Sequence, residues 1–571
     1  MYFNSNGTAE VTYDAIVIGS GISGGWAAKE LCEKGLKTLV LERGRDVKHV
    51  VDYPTASLDP WDLENRDQLT PEEMKDYEKQ SRTGYTIRQS TKHWFVKDTE
   101  NPYVEVKRFD WMRGYHVGGR SLLWGRQSYR WSDLDFEANA KDGFGVDWPI
   151  RYAEIAPWYD YAEKFAGISG SKDGLPQLPD GEFLPPMEMN CLEQHVKKGI
   201  ESNFKERNLI IGRVANLTQQ HNGRGSCQYR NRCIRGCPFG AYFSSNAATL
   251  PAAEKTGNLT LRPFSIVNSI IYDPATKRAK GVRIIDAETN ETHEFYSKII
   301  FCNASTLGTT FILMNSKSAA HPNGLGNASG QLGHNLMDHH FRCGASGGTE
   351  DFADRYYKGR RANGIYIPRY RNLGDKASER KDYVRGFGYQ GGASRQGWQS
   401  TVAEMRMGAG AEFKDSLLTP GNWEMGLTGF AECLPYYENK VELTDEVRDK
   451  WGQPTLKFDA EWKENEHIMR RDMMESAAEM LEASGLKNVS MYDSNSWPGL
   501  GIHEMGTARM GRDPKTSVLN SHNQLHEVKN VFVTDGACMT SAACVNPSLT
   551  YMALTARAAE FAVSELKKMN L

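Results

Sequence analysis

The stretch YDAIVIGSGISGGWAAKELCEKGLKTLVLERG, residues 13–44, constrains the fold of this chain more than any other. Ala15 to Ile18 is a continuous apolar run, the pattern of a strand buried on both faces. A turn holding Gly19, Gly21 and Gly24 follows, then a helical segment that Gly35 terminates, then a second apolar run from Thr38 to Leu41. Strand, glycine turn, helix and strand make one βαβ unit, which requires a parallel sheet and predicts an α/β fold. The glycines there let the backbone approach a pyrophosphate at the helix N-terminus. Glu42, ending the second strand, is placed to accept hydrogen bonds from an adenosine ribose, which favours FAD or NAD over NADP. A bare helix-packing turn would not need strand, helix and acidic residue in this register.

At 571 residues the chain exceeds one typical domain, so two connected domains are expected. A net charge of −3, from 69 basic and 72 acidic residues, leaves no electrostatic footprint for nucleic acid or an anionic membrane surface. No window approaches the roughly 20 apolar residues of a membrane span, and the opening MYFNSNGTAEVTYD has neither a basic n-region nor an apolar h-region. Neither direct membrane insertion nor an export signal of its own is expected. Polar residues at about 50–105 suggest surface excursions, and 258–304 returns to strand character. From 346 to 495 the pattern predicts a separate antiparallel sheet carrying an amphipathic helix, whose Met469, Met473, Met474 and Met480 are expected to fill its core. The expected division is a cofactor-binding unit from 1–135, 221–345 and 496–571, with a substrate unit from 136–220 and 346–495.

A second glycine turn, Gly118-Gly119, suits a flavin, whose ring must be enclosed, better than a pyridine nucleotide. Near the C-terminus stand GIHEMGTARMG (501–511), the pair Asp535-Gly536 and the pair Asn546-Pro547. Asn before Pro predicts a helix start, with the helix from Ser548 aiming its positive end at whatever lies beside Asn546. Asp535, at a strand end, is placed to hold a ribityl or phosphate hydroxyl.

Of ten cysteines, most stand singly among apolar neighbours, as reduced core thiols do. Cys227, Cys233 and Cys237 cluster in SCQYRNRCIRGCPFG (226–240). A disulfide would leave one thiol over, and zinc would need a fourth ligand, with His221 the local candidate. A 3Fe-4S cluster takes three thiolates, and an arginine-rich loop suits its negative charge. The residues alone leave all three open.

The motifs GSGISGG, GGxSxxW at 118–124, STLGTTFILMNS at 305–316, GHNLMDHH at 333–340, HxxGTxxMG at 503–511 and NPxLTxxAL at 546–554 occur in that order. With them the whole chain resembles the glucose-methanol-choline (GMC) flavoprotein family. The resemblance implies a Rossmann-type FAD-binding domain joined to a substrate domain built on an antiparallel sheet with helices. It implies His503 as the base that takes a hydroxyl proton, Asn546 as its partner across the substrate oxygen, and Val267 holding adenine through its backbone. Arg43, Ser121 and Gly536 join Gly19, Gly21, Gly24, Glu42, Gly118, Gly119, Asp535 and Asn546 as expected cofactor contacts. Leu123 stands where relatives resembling pyranose oxidase have a histidine bonded to the flavin, so non-covalent FAD is expected. His339 and His340 are expected in a loop packed over the cofactor.

The cysteine spacing resembles the iron-sulfur loop of bacterial FAD-dependent glucose and glucoside dehydrogenases, which implies a 3Fe-4S cluster on Cys227, Cys233 and Cys237. The implied activity is oxidation of a secondary hydroxyl of a sugar or glycoside, foremost at C3, with hydride to flavin N5. Electrons would leave through the cluster to a small subunit and a cytochrome. The implied location is the periplasm, in a complex exported by a signal-bearing partner, and otherwise the cytoplasm. The alternatives are a gluconate-type dehydrogenase and an oxygen-using sugar oxidase with structural cysteines. An inert cofactor-binding subunit is disfavoured because His503 and Asn546 are both present.

Overall fold

In the computed structural model of the chain, residues 12–357, 359–397, 409–418 and 420–571 are described. Most of the opening stretch on which the export reading rests, residues 1–11, lies outside the described residues. The two apolar runs become β1 (Thr12–Ile18) and β2 (Thr38–Leu41), paired in parallel from Ala15↔Thr38 to Ile18↔Leu41. Ala15 to Ile18 and all of β2 are buried, because neighbouring strands and helices cover both faces. Helix α1 (Ile22–Glu33) connects them. Gly35 adopts φ 87°, and its N–H reaches the Cys32 carbonyl while the Leu36 N–H reaches that of Leu31, both at 3.0 Å. That left-handed step satisfies the last carbonyls and stops the helix, as the sequence predicts.

β5 (Leu259–Arg262), β2, β1 and β8 (Thr292–Cys302) lie parallel in that order, and β16 (Val531–Phe532) adds to β8 in parallel. β7 (Arg278–Asp286) and then β6 (Ser265–Asp273) extend the sheet antiparallel, leaving β6 at its edge. Four further helices matter to the site: α2 (Cys191–Asn203), α3 (Thr306–Asn315), α4 (Glu464–Ala483) and α5 (Ser548–Lys567). Ala27, Ala28 and Leu31 of α1 share a core with Ala558, Ala559 and Ala562 of α5, small residues that let the two backbones approach closely.

The second sheet has six strands, each antiparallel to its neighbours: β15 (Lys487–Asp493), β9 (Cys343–Thr349), β12 (Trp423–Ala431), β11 (Phe387–Arg395), β10 (Ile365–Ile367) and β4 (Ile210–Ile211). α4 and α2 cover one face, where Met469, Met473 and Met480 are fully buried with Leu192, Val196 and Ile200. Met474 is only partly buried at the margin of that core. Alternation along β11 sends Tyr389 into it, its hydroxyl donating to the Met473 carbonyl at 2.8 Å. The next residue, Gln390, therefore points to the opposite face. A third sheet, of β13 (Lys440–Arg448), β14 (Pro454–Asp459) and β3 (Val104–Glu105), was not anticipated. β13 and β14 fall in the stretch expected within the substrate sheet but pair with β3 instead, a strand too short to leave a period in the sequence.

Candidate active site

A cavity of about 460 Å³ runs from the carboxyl edge of the parallel sheet to the face of the six-stranded one that carries Gln390, opposite α4 and α2. At its nucleotide end Gly19 has φ 92°, and a Cβ there would stand 2.5 Å from the Asn303 carbonyl oxygen. Gly21 has open space where a side chain would be, so backbone is presented to a ligand at the N-terminus of α1. Gly24 corrects the expectation of a cofactor contact. It does not line the cavity, and its missing side chain lets α1 sit on the Gly19 carbonyl, 2.0 Å from an ideal Cβ.

Glu42 lines the cavity and accepts from the Ser20 N–H at 3.1 Å, the Ser20 hydroxyl at 2.5 Å and the Gly44 N–H at 2.9 Å. Burial raises its carboxyl above the usual range, with those donors pulling the other way. Arg43 pairs with Asp449 at 3.0 Å and lies over the rings of Tyr115 and Trp451. Val267 lines the same end from β6, the edge strand of this sheet among the described residues.

Further along, Gly119 (φ 47°), Ser121 and Leu123 line the cavity. Ser121 shapes the turn, donating to the Gly118 carbonyl at 2.6 Å and accepting from the Ser245 N–H at 3.0 Å. Gly118 is a second correction: it faces the Asn246 side chain, whose Oδ1 would be 1.7 Å from a Cβ, and does not line the cavity. Asp535 accepts from the Thr309 hydroxyl at 2.6 Å and the Ala537 N–H at 3.0 Å, and burial pushes its carboxyl up to about 6. Gly536 admits the Thr306 hydroxyl, which would be 2.3 Å from a Cβ. Bare glycine backbone at a helix N-terminus, a buried acid one strand away and a long continuous cavity fit FAD.

At the other end the imidazole of His503 lies 3.4 Å, Nε2 to Nδ2, from Asn546. Asn546 does not cap the last helix, contrary to expectation. Pro547 takes the N-cap position of α5 with no side-chain cap, which frees the Asn546 amide for the cavity. Gln390 Nε2 donates to Asn546 Oδ1 at 2.7 Å. Ile502, just before His503, has φ 59°, a strained conformation for a β-branched residue. Asp338 holds that segment: its carboxylate accepts from the N–H groups of His503 (3.0 Å), Gly501 (2.8 Å) and His339 (2.8 Å). Burial, reinforced by the charge of Glu504, pushes Asp338 up to about 7.

His339 and His340 part company. His339 Nδ1 lies 2.8 Å from His503 Nδ1, and its Nε2 faces the carbonyls of Ala543 (3.0 Å) and Ala542 (3.2 Å). His340 packs beside Trp462 and, like His339, does not line the cavity. Burial holds His339 down at about 4 and His503 well below the usual imidazole value, with His339 and Arg120 also disfavouring charge on His503. Both rings are neutral at pH 7. Arg120 forks onto Glu504 at 3.0 and 2.8 Å and reaches Ser305 Oγ at 2.9 Å. Sequence reasoning missed Arg120, Asp338, Gln390 and Glu504. Three of them lie inside the quoted motifs, while Gln390 carries no signal beyond its place on a strand.

The cysteine loop is different. Cys227, Cys233 and Cys237 are half-buried free thiols that line one small cavity of about 30 Å³. Among the described residues no group of three or more His, Cys, Asp or Glu side chains is placed to hold a metal ion, so the expected cluster on these three cysteines finds no support in the geometry. The zinc alternative fails, because His221 Nε2 is bound to the Lys164 carbonyl at 2.7 Å and lies off that cavity. The arginines expected to offset a cluster's charge reach instead to residues 56–59: Arg230 to the Ala56 carbonyl (2.7 Å), Arg235 to that of Leu58 (2.9 Å) and Arg232 to Asp59 (2.5 Å).

A dinucleotide cradle leading to a neutral histidine and an amide defines a flavin-dependent oxidoreductase that acts on hydroxyl groups. The chain belongs to the GMC oxidoreductase family, whose sequence profiles match residues 13–341 and 435–555. It is therefore an FAD enzyme for CH–OH donors. It is 29% identical to 2-methyl-1,2-propanediol dehydrogenase of Mycolicibacterium austroafricanum, over 96% of this chain and 94% of that one. It is 25% identical to the fructose dehydrogenase large subunit of Gluconobacter japonicus, over 97% and 98%. Formate oxidase of Aspergillus oryzae shares the fold, with a TM-score of 0.61 at 14% identity over 99% of this chain and 100% of that one.

Proposed function

We propose that this chain is a dehydrogenase that oxidises a secondary hydroxyl of a sugar or glycoside, at C3, to the ketone. The observation that carries the reading is His503 Nε2 beside Asn546 Nδ2 at the wall of the cofactor cavity. A neutral imidazole takes the hydroxyl proton, and the amide N–H holds the oxygen as its charge develops. FAD, when bound, supplies the hydride acceptor. Gly19, Gly21, Glu42, Arg43, Gly119, Val267 and Asp535 line the space for it, and Leu123 offers no nucleophile, so it is held without a covalent bond. The three discontinuous segments 1–135, 221–345 and 496–571 serve as its binding unit.

The name of one relative, a fructose dehydrogenase large subunit, supports a sugar donor and further subunits. The acceptor proposed is a small subunit with a cytochrome, and a signal-bearing partner would carry the complex to the periplasm. No helix among the described residues is long and apolar enough to cross a membrane. A 3Fe-4S cluster on Cys227, Cys233 and Cys237 is part of the proposal only in that three free thiols face one cavity, and no step is routed through it. The diol dehydrogenase relative favours a second reading, a short-chain polyol as donor.

An anaerobic screen of D-fructose, D-gluconate, methyl β-D-glucoside and 1,2-propanediol with a dye acceptor tests the substrate, with products analysed by NMR. A 3-keto glycoside is expected. Oxidation of the diol alone, or turnover that needs oxygen and yields peroxide, overturns the sugar dehydrogenase. Iron and sulfide analysis of anaerobically prepared protein tests the cluster.

A further inference from the structure

We infer that His339 and Gln390 are positioning residues that fix, from opposite ends, which nitrogen of His503 is bare. A hydrogen-bond relay runs from the carbonyls of Ala542 and Ala543 through His339, His503 and Asn546 to Gln390. It has a single consistent polarity. The inference rests on His503 being the base and adds how the base is kept in its competent tautomer.

A carbonyl oxygen only accepts, so His339 Nε2, which faces two of them, must carry hydrogen. In a neutral ring that leaves His339 Nδ1 with a lone pair, and the 2.8 Å contact to His503 must be donated by His503 Nδ1–H. Nε2 of a neutral His503 is then bare and turned to Asn546. Only the amide NH2 can face a bare nitrogen, so Asn546 must point its Oδ1 the other way, to Gln390, whose NH2 donates at 2.7 Å. The orientation of both amides thus follows from two backbone carbonyls. Ala543 has φ 53°, an uncommon conformation for a non-glycine residue, at the point where the chain turns those carbonyls onto His339.

The charged groups near His503 come from three segments: Arg120 and Glu504, paired to each other, and Asp338 at its backbone N–H. None donates to or accepts from the ring. Gln390 reaches the relay from the six-stranded sheet, whereas Asn546 precedes α5 on the cofactor side. The competent tautomer therefore requires both units in register.

Gln390→Glu tests the polarity, because it keeps the shape and leaves only acceptors. It should draw the Asn546 NH2 to itself and set Oδ1 against His503 Nε2, an arrangement that demands a hydrogen there. With the fastest donor among D-fructose, D-gluconate and methyl β-D-glucoside, flavin reduction should slow roughly 10- to 100-fold, part of the usual worth of a positioned base. Its acid limb should move to higher pH, while FAD content stays at the wild-type level. His339→Leu should slow reduction by a similar factor, and His339→Gln, which keeps one donor and one acceptor, should recover part of it.

Nitrogen NMR of isotope-labelled histidine in the FAD-loaded protein needs no substrate. With the His503 signals assigned by their loss in His503→Ala, Nδ1 should be protonated and Nε2 bare, and Gln390→Glu should add a proton at Nε2 while Nδ1, held by His339, keeps its own. A protonated Nε2 in the wild type overturns the relay. Normal reduction by His503→Ala removes the base reading itself. An inactive His503→Ala beside wild-type behaviour in Gln390→Glu and His339→Leu removes only the relay.

Discussion

The catalytic end of the cavity and the cysteine loop both gather reactive side chains, but they are built in opposite ways. Around His503, partners arrive from residues 120, 338–339, 390 and 542–546, and its own backbone is gripped by a buried carboxylate. The cysteine loop is local in sequence, its thiols line one small cavity, and its arginines bond outward to residues 56–59. The difference teaches that residue type decides which chemistry is available, while distant hydrogen-bond partners decide whether it is poised.

The comparison breaks first at the base. His503→Ala should lower the rate of donor-dependent flavin reduction by roughly 100- to 10,000-fold with FAD still bound, read by stopped-flow. A mutant within reach of the wild-type rate would leave the catalytic end no better armed than the loop.

Asp338→Ala strips acceptors from one buried and two part-buried N–H groups. At about 1–3 kcal/mol for each unpaired donor, the protein should lose roughly 3 kcal/mol or more, read as a lower denaturant midpoint. Unchanged stability would mean the grip on His503 is slack.

The same carboxyl sets a pH signature. Its folded value, about 7, lies above the ordinary 3.8, so the folded state binds the extra proton between these limits. Its contribution is fully present below about 4 and is lost as pH rises through 7. Thermal melts should accordingly show the wild type losing ground to Asp338→Asn across that window, and a constant difference would contradict the buried, proton-binding carboxyl.

Smaller effects are expected at the loop. Cys233→Ser should leave single-turnover flavin reduction as it was, with any change confined to iron content. A large fall in reduction would erase the contrast between the two regions. Acid precipitation should free all of the flavin, because Leu123 offers it no attachment. Colour kept in the pellet would refute that.

The nucleotide end was legible in the sequence because it is local: a buried strand, a glycine turn, a helix closed by Gly35 and an acid at the next strand end all lie within residues 13–44. What escaped there was the work of Gly24 and Gly118, since a glycine needed for packing and one needed for a ligand look alike in a motif. The catalytic end was legible in its types but not in its wiring. Asn-Pro is a strong helix-start signal, yet Pro547 alone occupies the cap, and the amide goes to Gln390. Nothing in DHH distinguishes His339 from His340, because the choice depends on where Ala542 and Ala543, two hundred residues later, point their carbonyls. The cysteine spacing was compatible with a cluster, but spacing does not reveal that the neighbouring guanidinium groups are already engaged elsewhere.

Strand β11 pairs with β12 without a break from Phe387↔Ala431 to Arg395↔Trp423. Side chains alternate between its faces, so an inserted or deleted residue before Gln390 would swing that amide into the methionine core and bring Tyr389 or Gly391 round to the catalytic wall. Length is therefore the quantity this strand holds constant. Substitutions along its helix-facing side are tolerable where volume is kept, whereas a single-residue indel disables chemistry at a base more than a hundred positions away. Engineered changes of donor range belong in side chains there, and changes of loop length belong elsewhere.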